Sequence, residues 1–256
     1  MATLPGNRAS TRGDDGFFLT MAFVMCGLIV VGFVQAHLRG MSTFNSPLIV
    51  HAHAVTFMGW VVIYLTQNWL ATRGPLALHR QLGWIAAGWL ILMIVVGTAV
   101  TIFDIRRGHT PPIFQPLHFL VFDTLTIVGA TVLFYAGIAF RRQTDWHRRL
   151  NYCGMAMLTG PAFGRMLPMP LLIPWAYHAA LLCTFIWPLV GVIADQRRDG
   201  RIHPAWAWGL GGMLVTEAVT DIISFSPIGL ALYKLVVAGS IGEAIAPLAF
   251  PPFPAG

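Results

Sequence analysis

The sequence predicts an all-α fold, a polytopic bundle of transmembrane helices. Three observations carry this. The chain of 256 residues is 56% hydrophobic and 10% charged, against about 25% charged in an ordinary soluble domain. Its apolar residues fall into seven runs, each near the roughly 20 residues that cross a bilayer as a helix. The arginines fall in the short links between those runs. Backbone groups must be satisfied internally in hydrocarbon, which makes helices the natural spanning element.

Taken in order, the first run is Phe17 to Leu38. Val34-Gln35-Ala36 fits a small-residue cleavage site. However, the run is longer than a signal-peptide core and is preceded by Asp14 and Asp15, so a retained span is expected. The second run is Leu48 to Ala71 and the third Leu82 to Phe103. The fourth is Leu117 to Phe140 and the fifth Leu150 to Leu167. The sixth is Leu171 to Ala194 and the seventh Ala205 to Phe225. Pro161 and Pro188 remove backbone donors inside spans five and six and predict kinks there. Residues 227–256 are apolar but carry Lys234, Glu243 and five prolines. They read as an interfacial helix followed by an extended end. The chain is thus one integral membrane domain: residues 1–16 form a cytoplasmic segment, 17–226 the seven-helix bundle and 227–256 an apolar tail.

Orientation follows from the basic residues. With the N-terminus inside, eleven arginines, from Arg8 and Arg12 to Arg197, Arg198 and Arg201, lie on the cytoplasmic side. Arg39, Arg106, Arg107, Arg165 and Lys234 lie outside or near the outer face. The positive-inside rule then gives N-in/C-out. The expected location is the inner (plasma) membrane of a bacterium, with the lipid bilayer as a partner. The net charge of +6 does not point to nucleic acid, because no basic domain gathers it. Cys26, Cys153 and Cys183 sit in separate apolar runs without ligand spacing and read as small packing residues.

The runs repeat. Pro47 precedes His51 and His53, a span, a basic link and Leu78-His79-Arg80-Gln81-Leu82. Pro116 precedes His118, a span, a basic link and Trp146-His147-Arg148-Arg149-Leu150. A weaker copy runs from Pro174 through His178 to Arg201-Ile202-His203-Pro204. The bundle is therefore expected to be built from repeated helix hairpins.

Two polar layers result. The inner layer holds His79, His147 and His203 with arginines, Asp145 and Asp195; these groups start helices at the interface, where water and headgroups can satisfy them. The outer layer holds His53, His118, Asp123, Arg165, His178, Glu217 and Asp221 from five spans. Such groups are costly against lipid, so they are expected to converge on an internal site. His53, Phe57, Trp60, Tyr64 and Gln67 share one helical face, whereas His51 lies about 200° round the helix from His53. Glu217 and Asp221 are four apart and share a face. Arg165, the single cation of this layer, is expected to pair with Asp123, Glu217 or Asp221.

The run from Pro47 through Gly83, with His51-Ala52-His53, Trp60, Gln67 and Leu78-His79-Arg80-Gln81-Leu82-Gly83, resembles an uncharacterised family of bacterial multi-pass membrane proteins. His147-Arg148-Arg149-Leu150, Arg165 and Gly200-Arg201-Ile202-His203-Pro204 fit the same pattern, which covers most of the chain. A looser similarity is to cytochrome b561, whose central helices hold two b-type haems through histidine pairs. That likeness implies His53 (or His51) with His118 toward the outside and His79 with His147 toward the inside. The departures are the extreme helix-end positions of His79 and His147, a wide separation of the layers, and a seventh span with extra acids.

Four functions compete. The first is haem b-dependent transmembrane electron transfer, with a quinone as partner. The second is a proton-coupled small-molecule transporter using Asp123, Arg165, His178, Glu217 and Asp221. The third is a metal-dependent enzyme using His53, His118, His178 and a carboxylate; without an HExxH or multi-histidine box it ranks lower, and no metal ligands are assigned. The fourth is an accessory subunit of a larger membrane complex. Catalytic residues, and whether the chain is an enzyme, stay open. A rhodopsin is rejected because Lys234 lies beyond the seventh span.

Overall fold

The computed structural model describes residues 8–41 and 43–253, with side chains from residue 14 onward. Readings that rest on residues 1–7 and 254–256, and on the side chains of Arg8 and Arg12, lie outside the described residues. The described chain is helical throughout its regular structure. It comprises α1 (Arg8–Leu38), α2 (Leu48–Arg73), α3 (Leu76–Arg106), α4 (Pro116–Ala139) and α5 (Thr144–Met157). After these come α6 (Gly160–Met166), α7 (Ala176–Thr184), α8 (Ile186–Asp199), α9 (Ala205–Ser224) and α10 (Pro227–Val237). Short 3₁₀ turns lie at Met169–Leu172 and Ile241–Ala244.

Among the described residues, five stretches are long and apolar enough to cross a membrane: Asp14–Leu38, Leu48–Arg73, Leu76–Arg106, Pro116–Ala139 and Ala176–Asp199. A sixth is made by α9 and α10 together, although the pair bends by 74°. The span expected at Leu150–Leu167 is broken instead into α5 and α6. The cause is local: Pro161 lacks an N–H, and its ring crowds the carbonyl four residues back, at Met157, where α5 ends. Pro188 does the same to Thr184, where α7 ends; α8 begins two residues later, at Ile186. Thr159 and Thr184 each turn a hydroxyl back to a carbonyl three residues earlier, satisfying groups freed at the breaks.

α4 is central, packed on α3, α5, α9 and α10, while α2 and α3 form a close hairpin. The main core joins Met25 of α1, Trp60 of α2, Leu90 of α3, Phe134 of α4, Tyr152 of α5 and Trp206 of α9. Cys26 and Cys153 are buried in it. α10 closes a second core, with Tyr233 and Val237 against Ile105, Leu117 and Val121. Outward faces remain apolar: Val31, Val62, Trp84, Ile91, Leu214 and Ile222 are all exposed. A belt of this kind would be an aggregation surface in water and is a lipid-contact surface in a bilayer. The long apolar helices and this belt are those of a multi-pass membrane protein.

Candidate functional site: a histidine–carboxylate centre

The start of α4, the start of α7 and the end of α9 meet at one end of the bundle. From them come His118, Tyr177, His178, Glu217 and Asp221. His118 Nε2 lies 3.4 Å from Asp221 Oδ1. His178 Nε2 lies 3.3 Å from Asp221 Oδ2 and 3.3 Å from Glu217 Oε1. The two imidazoles lie side by side, with ring centres 5.7 Å apart. Tyr177 donates its hydroxyl to Glu217 Oε2 at 2.6 Å, and its ring stacks on Phe122.

Helical spacing explains the arrangement. Glu217 and Asp221 are one turn apart on α9 and so reach His178 from the same side. Phe122, one turn after His118, supplies the ring on which Tyr177 rests. His118, His178 and Asp221 border a cavity of about 250 Å³ whose other walls include Trp175, Phe225 and Phe250. Side-chain exposure grades across the centre, from 7% at His118 to 39% at Asp221, so Asp221 stands at the mouth.

The outer layer read from sequence thus divides. His118, His178, Glu217 and Asp221 converge; His53, Asp123 and Arg165 do not join them. Asp123 accepts a hydrogen bond from Thr101 of α3. His53 stacks on Phe57 at 4.2 Å. The expected carboxylate partner for Arg165 is not found: among the described residues it makes no ion pair within 4 Å. It donates to the Pro161 carbonyl at 2.9 Å, and its guanidinium lies 4.0 Å from the Phe33 ring centre. A carbonyl oxygen has a second lone pair to offer such a donor, and an aromatic face offers a second site for a cation. Asp123 and His53 remain within electrostatic range of it. Tyr177 escaped the sequence reading because a tyrosine beside a histidine in an apolar run looks like core; its place one residue before His178 was the available clue.

At the opposite end, His79 and His147 rings lie 6.2 Å apart and nearly perpendicular. His147 Nδ1 is 2.8 Å from the Gly137 carbonyl. Since a carbonyl can only accept, that contact sets the proton on Nδ1. Close by, Arg149 holds Asp195 with two hydrogen bonds, at 2.9 and 2.7 Å. Trp206 Nε1 adds a third at 2.7 Å. Arg198 reaches Asp14 at 2.6 Å, and Arg148 reaches Asp15 at 2.5 Å. These pairs tie α1 to α5 and α8. Arg148, Arg149 and Arg198 are therefore partnered by Asp14, Asp15 and Asp195 inside the bundle, not left to headgroups. His203, in the link between α8 and α9, has its imidazole pushed below the usual range, by burial first and then by the Arg149 cation.

The histidine pairs can be tested against a haem. The outer pair does not fit: His118 turns Nε2 toward Asp221, and its neighbouring imidazole is His178, not His53. The inner pair keeps two facing imidazoles, one with its tautomer fixed. His51, the alternative outer ligand, instead contacts the Phe44 carbonyl at 3.1 Å. Comparison with protein-family models, curated proteins and solved structures returns no match to this chain.

Proposed function

We propose that the chain is a proton-coupled membrane carrier whose solute binds among His118, His178, Glu217 and Asp221. One observation carries the reading: His118, His178 and Asp221, from three helices, line a cavity beside the point where α9 turns through 74° into α10, with Glu217 behind His178. Carrier sites are commonly built where spanning helices are broken and polar groups face inward. The repeated hairpins support the same reading. With the α5–α6 pair counted as a crossing, the chain makes seven, N-in/C-out, and the arginine distribution supports that orientation in a bacterial inner membrane.

The carboxylates would exchange protons for solute. Glu217 is set by Tyr177, and Asp221 meets the solute first at the mouth. The test is reconstitution into vesicles loaded with a pH-sensitive dye, followed by addition of amino acids, carboxylates, amines and divalent metals in turn. At least one class should move protons in the wild type and none in a Glu217→Gln, Asp221→Asn double variant. A silent panel would sink the carrier reading.

A second reading rests on the inner pair. His79 and His147 would hold a single b-type haem, which supplies one-electron chemistry when bound. The fixed Nδ1–H of His147 supports this, because it leaves Nε2 as the free ligand atom. A reduced-minus-oxidised visible spectrum of the purified protein tests it; no Soret shift in the wild type ends it.

A further inference from the structure

We propose that the ligand of the His118–His178–Glu217–Asp221 centre is a divalent transition-metal ion of the zinc type. Resting on the carrier reading, we infer further that this ion is the cargo. The first support is distance. The contacts of 3.4, 3.3 and 3.3 Å among these nitrogens and oxygens are longer than the usual N–H···O bond of about 2.9–3.0 Å. They match the edge of a tetrahedral site: metal–ligand bonds of about 2.0–2.1 Å place neighbouring ligand atoms about 3.3–3.4 Å apart.

The second support is unmet bonding. His118 Nε2, Glu217 Oε1 and Asp221 Oδ1 are buried without a hydrogen-bond partner. His178 Nε2 stands 3.3 Å from two different carboxylates, and one proton cannot serve both. Buried polar atoms are nearly always paired. His118, His178 and Asp221 are satisfied together by one cation between them, with Glu217 Oε1 3.3 Å from His178 Nε2 at its side. One ligand atom each from His118, His178 and Asp221 already falls within 4.8 Å of the other two.

The donor set selects the metal. Two imidazoles with two carboxylates suit zinc, manganese, iron(II) or cobalt, whereas magnesium and calcium favour all-oxygen shells and copper(I) favours sulfur. Tyr177, through its bond to Glu217 Oε2, leaves Oε1 turned to the centre, as an outer partner of a metal ligand does. Charge also closes. A dication with two carboxylates is neutral, which lowers the cost of holding it in a low-dielectric bundle.

The test uses the full chain in detergent, stripped with chelator and titrated with zinc chloride by calorimetry. One ion per chain is expected. His178→Gln and Asp221→Asn should each weaken binding at least about 100-fold, more than the 10- to 100-fold typical of an outer partner. His51→Ala, at a residue outside the centre, should leave it unchanged. Cobalt(II) should give the strong visible bands of a tetrahedral site in the wild type and lose them in both variants. Failure of the wild type to bind zinc, or equal binding by wild type and both variants, overturns the metal site, and neither result depends on how well a variant folds. Zinc uptake into vesicles holding a zinc-sensitive dye then separates the two claims: stoichiometric binding without uptake overturns the cargo assignment while the metal site stands, and the carrier reading falls only if the other solute classes are silent too.

Discussion

Arg149 and Asp195 face each other with both guanidinium edges engaged: Nε donates to Oδ2 at 2.9 Å and Nη2 to Oδ1 at 2.7 Å. Each is about 2% exposed, and they join α5 to α8 some 46 residues apart in sequence. A charge left unpaired at such depth is costly, and breaking a buried pair from one side costs about 3–5 kcal/mol. Asp195→Ala should therefore lower stability by that order, with Trp206 Nε1 also losing its acceptor. Arg149→Met paired with Asp195→Leu should recover much of the loss, because no charge is stranded. Thermal unfolding in detergent, followed by near-ultraviolet dichroism, checks both; equal stability of Asp195→Ala and wild type would show the pair to be ornamental.

The His203 imidazole beside this pair is held below the usual range by burial and Arg149. In the folded state it stays neutral where the unfolded chain would bind a proton. The unfolded state thus binds more protons below a pH of about 6.5, and stability must fall as pH drops through that value toward the lower folded pKa. The unfolding midpoint should decline between pH 7.5 and 5.5. His203→Asn should flatten that decline, while its side-chain oxygen can still accept from Ala205 N, as His203 Nδ1 does now at 3.2 Å. Midpoints that fall equally in both proteins would place the titration elsewhere.

Gly191 of α8 lies directly over Trp206 of α9. An added Cβ would come within 2.1 Å of the indole. The indole cannot swing aside, since it is fully buried, stacked on Phe18 and tied to Asp195. Gly191→Ala should cost about 1–3 kcal/mol, as overpacking does. Gly88→Ala, where a Cβ meets nothing within 4 Å, should be neutral or slightly stabilising through helix propensity. Parallel melts of the two variants decide whether α8 and α9 meet this closely.

These contacts also show what hydropathy can and cannot convey. α1 to α4 were legible because each is one uninterrupted apolar run. α5 and α6 were not, because Arg148, Arg149 and Asn151 make α5 polar. Their compensation comes from Asp15 and Asp195, far away in the chain. Pro161 and Pro188 were legible as kinks; Pro161 proved to divide α5 from α6, while Ala176–Asp199 stays one stretch across the interruption before Pro188. At the site, burial logic singled out His118, His178, Glu217 and Asp221, which the structure brings together. It also enrolled Asp123 and Arg165, because charge complementarity ignores what a hydroxyl and an aromatic face offer locally. Thr101 takes Asp123, and Phe33 with the Pro161 carbonyl takes Arg165. Sequence spacing fixes which residues share a helix face, but not how helices rotate against each other.

Tyr177 supplies the last prediction. Its hydroxyl donates to Glu217 Oε2 at 2.6 Å, and its ring is fixed by Phe122 at 4.2 Å. Tyr177→Phe keeps the ring and removes the donor, so the fold should hold while Glu217 gains freedom to turn. Zinc affinity should fall about 10-fold, at the lower end for an outer partner, with stoichiometry unchanged. Tyr177→Ala should do more, because Phe122 also loses its stacking partner and the start of α7 loses its hold on α4. If Tyr177→Phe binds zinc as the wild type does while Glu217→Gln is impaired, Glu217 is positioned by α9 alone and the tyrosine is only packing.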